Sequence, residues 1–399
     1  MNKVATVLVK PGEADRLLAG HPWLYDGSVL RVIAEVNDGD VVQVKDHRQR
    51  FLGIGVYNSR SRIRVRLLDR ERIPIDQNFF EQRIRSALEL RQRHMPKATS
   101  FRLLNAESDF LSGLIIDKYE DVLVVQISSL GIDQRKAQLV AALLKILKPK
   151  AILERNDIGS RKFEGLPERT GFLHGESPAE IVIRLNGIEL LINIFSGHKT
   201  GYYLDQQTNY QAVSDYAKGA RVLDCFCFLG GFSLHAARAG AAHVHGLDQS
   251  AEAVAAAGEN AKRNGLDSRC SFEAVNVFDW LKAQTTVGPH EKVIPKHDLI
   301  ILDPPSFTKN RASVGDALRG YKEIHLRAFK LLRPGGTLAT FCCSHHVDAQ
   351  IFQQVILEAA FDAHKVLRRI RTYSQSPDHP IIPTIPETEY LKGFAFEIA

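Results

Sequence analysis

The chain lacks several features that would have set its class at once. No stretch of its 399 residues approaches the roughly 18 consecutive apolar residues of a membrane span, so no membrane partner is expected. The opening "MNKVATVLVKPGEADRLLAG" has neither an apolar core segment nor a small-residue cleavage site, which argues for a cytoplasmic protein. Cysteine is scarce: Cys225, Cys227, Cys270, Cys342 and Cys343 are the full set, all in the second half. No C-x-x-C pattern joins them, so no metal site is expected. Reduced thiols in a reducing compartment fit better than disulfides. The pattern G-x-G-x-x-G is also missing, which disfavours a nicotinamide dinucleotide. There is no internal repeat and no low-complexity segment.

What remains is a globular composition, 44% apolar and 25% charged, in a chain long enough for two or three domains. The net charge of +6 is unevenly placed. Between Lys45 and Arg72 stand nine Lys or Arg against three Asp or Glu, so that segment alone carries +6. "RSRIRVRLL" (60–68) alternates: Arg60, Arg62, Arg64 and Arg66 share one strand face, and Ile63, Val65 and Leu67 lie on the other. The apolar face can close a small barrel while the arginine face meets a polyanion. The plainer alternative is a solvated outer face.

Three parts follow along the chain. Residues 1–73 hold short strands with turn signals such as "NDGD" (37–40), the pattern of a small β-barrel. In residues 74–184, "DQNFFEQRIRSALELRQRHM" (76–95) places Phe80, Ile84, Ala87, Leu88 and Arg91 at helical spacing. "SGLIIDKYEDVLVVQI" (112–127) is two strands around a polar turn, and "QRKAQLVAALLKIL" (134–147) is an amphipathic helix. This middle part is a mixed α+β domain. From 185 to 399 strands alternate with helices, which argues an α/β domain with a mostly parallel sheet covered on both faces.

The third part carries the chemistry. "ARVLDCFCFLGGFSLHAARAGA" (220–241) reads as a buried strand, a glycine pair and a helix. Asp224 closes the strand, and Gly230 with Gly231 lets the backbone turn tightly against a ligand. "HVHGLDQS" (243–250) is the next strand, and Asp248 at its end suits the two hydroxyls of a ribose. An adenosine ligand without phosphates, S-adenosylmethionine, fits this pattern. "HDLIILDPPSF" (297–307) is the strongest signal. Asp303 follows a fully apolar strand at its carboxyl end, where open α/β sheets bind ligands. Pro304 and Pro305 make a wall without N–H groups, and Phe307 can stack on a flat base.

"ATFCCSHHV" (339–347) ends a further strand of the same sheet, so its cysteines should share an edge with Asp303. Neighbours on a strand point to opposite faces, and only one of Cys342 and Cys343 can face the crevice. Alternation does not say which. A thiolate there can add to C6 of a pyrimidine and make C5 nucleophilic toward a methyl donor.

In combination, "HPWLYDGSV" (21–29), "RLLNAESDFLSGLIIDKY" (102–119), "GHKTGYYLDQQTNY" (197–210), "LDCFCFLGGF" (223–232), "LDPPSF" (302–307) and "DHPIIPTIPETEYLKGFAF" (378–396) resemble the large-subunit ribosomal RNA methyltransferases of the 5-methylcytosine type over nearly the full chain. The resemblance implies an N-terminal PUA-like RNA-binding barrel, a central α+β domain and a Rossmann-like class I methyltransferase domain using S-adenosyl-L-methionine. It places Asp224, Phe226, Gly230, Asp248, Asn276 and Pro304 at the cofactor, and Lys199, Thr200, Tyr202, Asp205 and Gln206 on its methionine side. Asp303 would stand between methyl donor and base. The family's Cys-Ser pair falls on Cys343-Ser344, which singles out Cys343 as nucleophile and leaves Cys342 as a buried filler. Implied partners are large-subunit ribosomal RNA and, as a candidate, a second copy in a homodimer. Gln207 stands where the family has a basic residue, and His345 and His346 replace small or apolar ones. Two rivals remain: a guanine or exocyclic-amine methyltransferase that needs no thiol, and a non-catalytic RNA-binding assembly factor.

Overall fold

A computed structural model describes residues 4–288, 290–308 and 311–399. The chain divides into two compact units whose membership interleaves. The first takes the residues through Ile183 together with 192–204 and 377–389, and the second takes 184–191, 205–376 and 390–399.

The first unit begins with β1 (Thr6–Val9), the short helix α1 (Asp15–Leu18), β2 (Trp23–Tyr25), β3 (Val29–Ile33), β4 (Val41–Lys45), β5 (Phe51–Tyr57) and β6 (Ile63–Asp69). These strands form one mixed sheet in the order β2-β6-β5-β4-β1-β3. Its inward residues alternate with outward ones, and Val7, Val9, Leu24, Val42, Val44, Val65 and Leu67 build its core. The next segment opens with α2 (Gln77–His94), capped where the Asp76 carboxylate accepts the Phe79 N–H. A five-stranded sheet follows in the order β11-β10-β9-β8-β7. It is made of β7 (Phe101–Asn105), β8 (Leu114–Tyr119), β9 (Val122–Ile127), β10 (Ala151–Arg155) and β11 (Thr170–His174). The helices α3 (Leu130–Asp133) and α4 (Lys136–Leu147) complete the segment, and Phe80, Ile84, Leu103, Ile116, Val125, Leu139 and Leu143 share its core. A hairpin of β12 (Glu180–Leu185) and β13 (Ile188–Asn193) comes after it.

The arginine stretch does not form the single face that alternation suggests. The strand β6 starts only at Ile63, so Arg60 and Arg62 precede it, exposed. Arg64 bonds the Asn58 carbonyl at 3.1 Å and stacks over Tyr57. Arg66 is turned inward: it is 13% exposed, pairs with Glu164 at 2.8 Å and bonds Ser112 at 3.0 Å. Burial works against the charge of Glu164, but Arg66 and the bonds from Ser61 and Asn58 outweigh it and hold the carboxyl below its ordinary range. A buried carboxylate about a hundred positions later therefore captures one of the four arginines.

A larger buried polar network ties the two late segments into this unit. Arg91, on the apolar face of α2, donates to both oxygens of Asp109 at 2.5 and 2.7 Å and to the Asp378 carbonyl at 2.8 Å. Arg102 pairs with Asp117 at 2.8 and 2.9 Å, and its backbone N–H donates to the Asp378 carboxylate at 2.8 Å. The Thr200 hydroxyl donates to the same Asp117 and meets the Tyr119 hydroxyl at 3.0 Å, which in turn accepts the Tyr202 N–H at 3.0 Å.

The second unit is one seven-stranded sheet, in the order β16-β15-β14-β17-β18-β20-β19. Its strands are β14 (Arg221–Cys225), β15 (His243–Asp248), β16 (Cys270–Ala274), β17 (His297–Leu302), β18 (Leu332–Cys342), β19 (Leu367–Ser374) and β20 (Lys392–Ile398). The first five are parallel to one another, and β20 runs antiparallel between β18 and β19. The helices are α5 (Gln207–Ser214), α6 (Gly231–Arg238), α7 (Ala251–Arg263), α8 (Val277–Thr285), α9 (Val314–Leu331) and α10 (Ala349–Asp362). Leu299–Leu302 are fully buried, as an all-apolar central strand requires. The Pro-Gly-Gly turn after α9 lies inside β18 as an irregularity in its pairing with β17. From β14 the chain moves to β15 on one side and later to β17 on the other. The carboxyl ends of β14 and β17 thus flank the switch point, where such sheets hold ligands.

Asp117 supplies a test of the network. Asp117→Ala leaves Arg102 charged and buried without its partner, and urea unfolding should show a loss of about 3–5 kcal/mol. Arg102→Met combined with Asp117→Leu should recover most of it. Equal losses in the single and double variants would mean that the pair is not the source.

Candidate functional site

Four strand ends supply the candidate site in the second unit. At the end of β14, Asp224 is fully buried and its Oδ2 accepts the Ser233 hydroxyl at 2.6 Å. Burial pushes its carboxyl up to about 7, Ser233 opposes the rise, and the nearby Asp248 charge adds to it. The loop beyond turns through left-handed backbone at Phe226 (φ 67°), Phe228 (φ 49°) and Gly230 (φ 86°). Glycine takes that conformation freely, but two phenylalanines do not, so the loop stores strain of the kind found at ligand clamps. The strain is held by bonds: Cys227 N–H donates to the Leu247 carbonyl at 2.9 Å, and Phe228 N–H donates to the Asp248 carboxylate at 2.9 Å. Asp248, at the end of β15, also accepts the Ser250 N–H at 3.0 Å. Asn276 is exposed and caps α8, accepting the Phe278 and Asp279 N–H groups at 2.9 and 3.3 Å.

Asp303 follows β17 and accepts a bond from the Gln206 amide at 3.1 Å. Gln206 is held in turn by Asn209 at 2.7 Å. Pro304 is buried and Pro305 exposed. Phe307 is half-buried and packs among Phe226, Phe278 and Tyr321 at centroid distances of 6.5, 5.6 and 4.7 Å. That is a packed aromatic cluster rather than an open stacking platform.

The cysteine pair is now distinguishable. Cys342 ends β18, has no exposed surface and sits in the hydrophobic core with its Sγ 3.3 Å from the Tyr321 hydroxyl. Cys343 is the first residue beyond the strand and is half-buried. Ser344 is buried and fixed on three sides. Its hydroxyl meets Ser306 at 2.9 Å and Tyr321 at 3.0 Å, and its carbonyl accepts from Lys392 at 2.6 Å. The Ser306–Ser344 contact links the Asp-Pro-Pro loop to the cysteine turn directly. Burial raises the thiols of Cys225 and Cys227 well above their ordinary value and that of Cys270 to about 12, so all three stay protonated. His345 and His346 are exposed.

Asp205 is buried and accepts the Tyr390 hydroxyl at 2.7 Å, and the Tyr390 ring lies 5.8 Å from His345. Lys199, Thr200 and Tyr202 belong to the first unit. There Lys199 lies over the Tyr203 ring at 4.7 Å, while Thr200 and Tyr202 join the Asp117–Tyr119 network. The sequence reading gave no role to Ser306, Tyr321, Tyr390 or Lys392. No local signal pointed to Lys392, whose place opposite Cys342 comes from the pairing of β18 with β20.

A PUA-like domain model matches residues 7–70, and an S-adenosylmethionine-dependent methyltransferase model matches residues 166–392. The chain is 42% identical to ribosomal RNA large subunit methyltransferase I of Aeromonas salmonicida, over 97% of each chain. It is 40% identical to the Shewanella amazonensis protein of the same name, over 98% of this chain and 99% of that one. Among solved structures it resembles SMU.776, assigned as a methyltransferase and complexed with SAH, with a TM-score of 0.82 at 22% identity, covering 99% of this chain and 100% of that one. A SAM-dependent methyltransferase assigned from Streptococcus mutans gives a TM-score of 0.80 at 21% identity with the same coverage; both show the fold alone. The loop after β14 fits S-adenosylmethionine. The buried Asp224 Oδ1 has no hydrogen-bond partner among the described residues, and the Asp248 carboxylate stands beside the strained turn.

Asp224 makes stability depend on pH. Its folded value of about 7 lies above that of an unfolded aspartate, near 4. Its contribution is therefore fully present below pH about 4 and is lost as pH rises through 7, by up to about 1.4 kcal/mol per unit. The buried His235 and His325, lowered to about 4 by burial, act in the opposite sense between about 4 and 6.5, so the comparison must be with Asp224→Asn. Urea midpoints of the wild type minus those of Asp224→Asn should fall across this window. A constant difference would place the Asp224 carboxyl in its ordinary range.

Proposed function

The chain belongs to the S-adenosylmethionine-dependent ribosomal RNA large subunit methyltransferase I family, and from that premise we propose that it methylates C5 of a cytosine in large-subunit ribosomal RNA through a bond between Cys343 and C6. One observation carries this reading. The half-buried Cys343 lies just past the buried Cys342, on a turn that the Ser306–Ser344 contact joins to the Asp303 loop.

S-adenosylmethionine supplies the methyl group from its sulfonium centre. Asp248 would hold the ribose hydroxyls, the turn at Phe226–Gly230 would cradle the rest of the nucleoside, and Asn276 would meet the adenine. Asp205 and Gln206 are proposed for the methionine side; Lys199, Thr200 and Tyr202, which the resemblance also put there, belong to the first unit. Cys343 ionises, and its sulfur adds to C6 of a flipped-out cytosine while the C5–C6 π electrons move to C5. Asp303 bonds the edge of the base, and a proton shared between its carboxyl and N3 offsets the negative charge that the ring gains. Once C5 carries the new methyl, a base takes the C5 proton, the electron pair re-forms the double bond, and the C6–S bond breaks to return the thiolate. His345, exposed beside Tyr390, is a candidate for that base.

RNA contact is assigned to the N-terminal sheet, with Arg60 and Arg62 as its exposed charges and Arg64 beside them. Arg66 is withdrawn from this role by its pairing with Glu164. No observation favours the candidate homodimer over a monomer. No helix among the described residues is long and apolar enough to cross a membrane, and a cytoplasmic location is proposed on the ribosomal substrate.

Cys343→Ala should abolish methylation while keeping cofactor affinity, and Cys342→Ala should retain activity. RNA carrying 5-fluorocytosine should trap a covalent complex on the Cys343 peptide, because fluorine blocks proton removal. Turnover by Cys343→Ala, with the methyl on an exocyclic amine or a guanine, would replace this reading by the thiol-free one.

Affinity for ribosomal RNA should decline linearly in log–log form as salt rises. Arg60→Ala with Arg62→Ala should reduce that slope by about two contacts, at about 0.7–0.9 per phosphate, whereas Arg66→Ala should cost stability instead. An unchanged slope in the Arg60 and Arg62 variant would mark these residues as a solvated surface.

A further inference from the structure

The turn that carries Cys343 is held from the neighbouring strand by a lysine. In the antiparallel pairing of β18 and β20, Cys342 lies opposite Lys392. The Lys392 ammonium reaches past the end of β18 and donates to the Ser344 carbonyl at 2.6 Å and to the Tyr390 carbonyl at 3.0 Å. It therefore joins its own chain segment at Tyr390 to the turn that follows β18. Consecutive Cα atoms are about 3.8 Å apart, so a charge in contact with the carbonyl of residue 344 stands within a Debye length, about 8 Å at physiological salt, of residue 343. Ser344 is otherwise fixed through its hydroxyl by Ser306 and Tyr321, and Cys342 is fixed by the core. Cys343 is the residue between two anchored neighbours.

We propose that Lys392 is the positioning residue of the nucleophile: it clamps the Cys343–Ser344 turn through the Ser344 carbonyl, and its positive charge favours the thiolate of Cys343. The proposal rests on the reading of Cys343 as nucleophile. A free thiol is only a few per cent ionised at neutral pH, so a nucleophilic cysteine needs a nearby cation or hydrogen-bond donor. The other titratable groups around this turn are the Asp303 carboxylate at the end of β17, the Tyr321 phenol of α9, the His345 imidazole, and Tyr390 with its partner Asp205. Burial and the neighbouring Cys342 raise the Tyr321 phenol, so it stays protonated. The carboxylates of Asp303 and Asp205 oppose ionisation of the thiol, which leaves Lys392 as the counterweight on β20.

The test reads the thiol itself. The rate of carboxamidomethylation by iodoacetamide is followed against pH in the full-length protein, and the Cys343→Ala trace is subtracted to remove the other cysteines. In Lys392→Met the midpoint should rise by about one unit, with alkylation at pH 7 about tenfold slower. Lys392→Arg, which keeps the charge, should restore most of the difference. Calorimetry with S-adenosylmethionine should give the wild-type affinity in each variant; where Lys392→Met fails this check of folding, Lys392→Gln takes its place. An unchanged midpoint in the neutral variant overturns the proposal, and so does a raised midpoint that arginine leaves as high as methionine does. The outcome is separable from the reading beneath it: persistent methylation by Cys343→Ala would remove the thiol from the reaction, whatever Lys392 does to its ionisation.

Discussion

A carboxylate that water cannot reach has to be neutralised by the protein around it, and Asp117 is the point on which the first unit turns. It has no exposed surface. Burial opposes its charge, yet Arg102 and the Thr200 hydroxyl hold its carboxyl below the ordinary range. Arg102 in turn carries its backbone N–H to Asp378. Two segments remote in sequence, 192–204 and 377–389, are thereby committed to the first unit. At the crossing after each, the chain enters the second unit on a residue of the site. Asp205 follows Leu204, Tyr390 follows Glu389, and the two are bonded to each other.

The second unit works by a different economy. Its central strands are apolar and need no specific partner, and the candidate acids stand where those strands stop. Asp224, Asp248 and Asp303 each follow or close a strand. The two left-handed phenylalanines of the β14–α6 loop are tolerated because Leu247 and Asp248 fix the intervening N–H groups. Such an arrangement is preorganised: the groups that meet a ligand are placed by bonds already made, and little reordering is left for binding.

Local pattern made much of this legible. Runs such as "LIIL" (299–302) are buried strands because nothing in them tolerates water, and "LIIDKYEDVLVVQI" is β8 and β9 around a turn at Glu120, which takes a positive φ of 54°. The motif acids were legible because a carboxylate after an apolar strand demands a reason. What pattern could not carry was long-range pairing. Arg66 looks like its neighbours until Glu164 is set against it. Thr200 and Tyr202 read as part of the methyltransferase domain, and only the Asp117 network shows which unit holds them. The choice between Cys342 and Cys343 also needed the fold, since a period of two distinguishes faces but not which face is lined by Tyr321 and Phe352. Lys392 was in plain view within "ETEYLKGFAF" and went unassigned because its partner is a backbone carbonyl on another strand.

The placement of β20 also bears on how the sheet is completed. It comes after β19 in the chain yet lies inside it, between β18 and β19. A sheet ordered in this way cannot grow by adding each new strand to its rim. Any folding intermediate without β20 leaves the outer edge of β18 open along Leu338, Ala339 and Phe341, an apolar template for pairing with another molecule. Insertion of β20 closes that edge across some fifty residues of intervening chain, from Cys342 to Lys392, which is a slow kind of contact to form. The strand that closes this edge is also the strand that brings Lys392 to the Cys343–Ser344 turn.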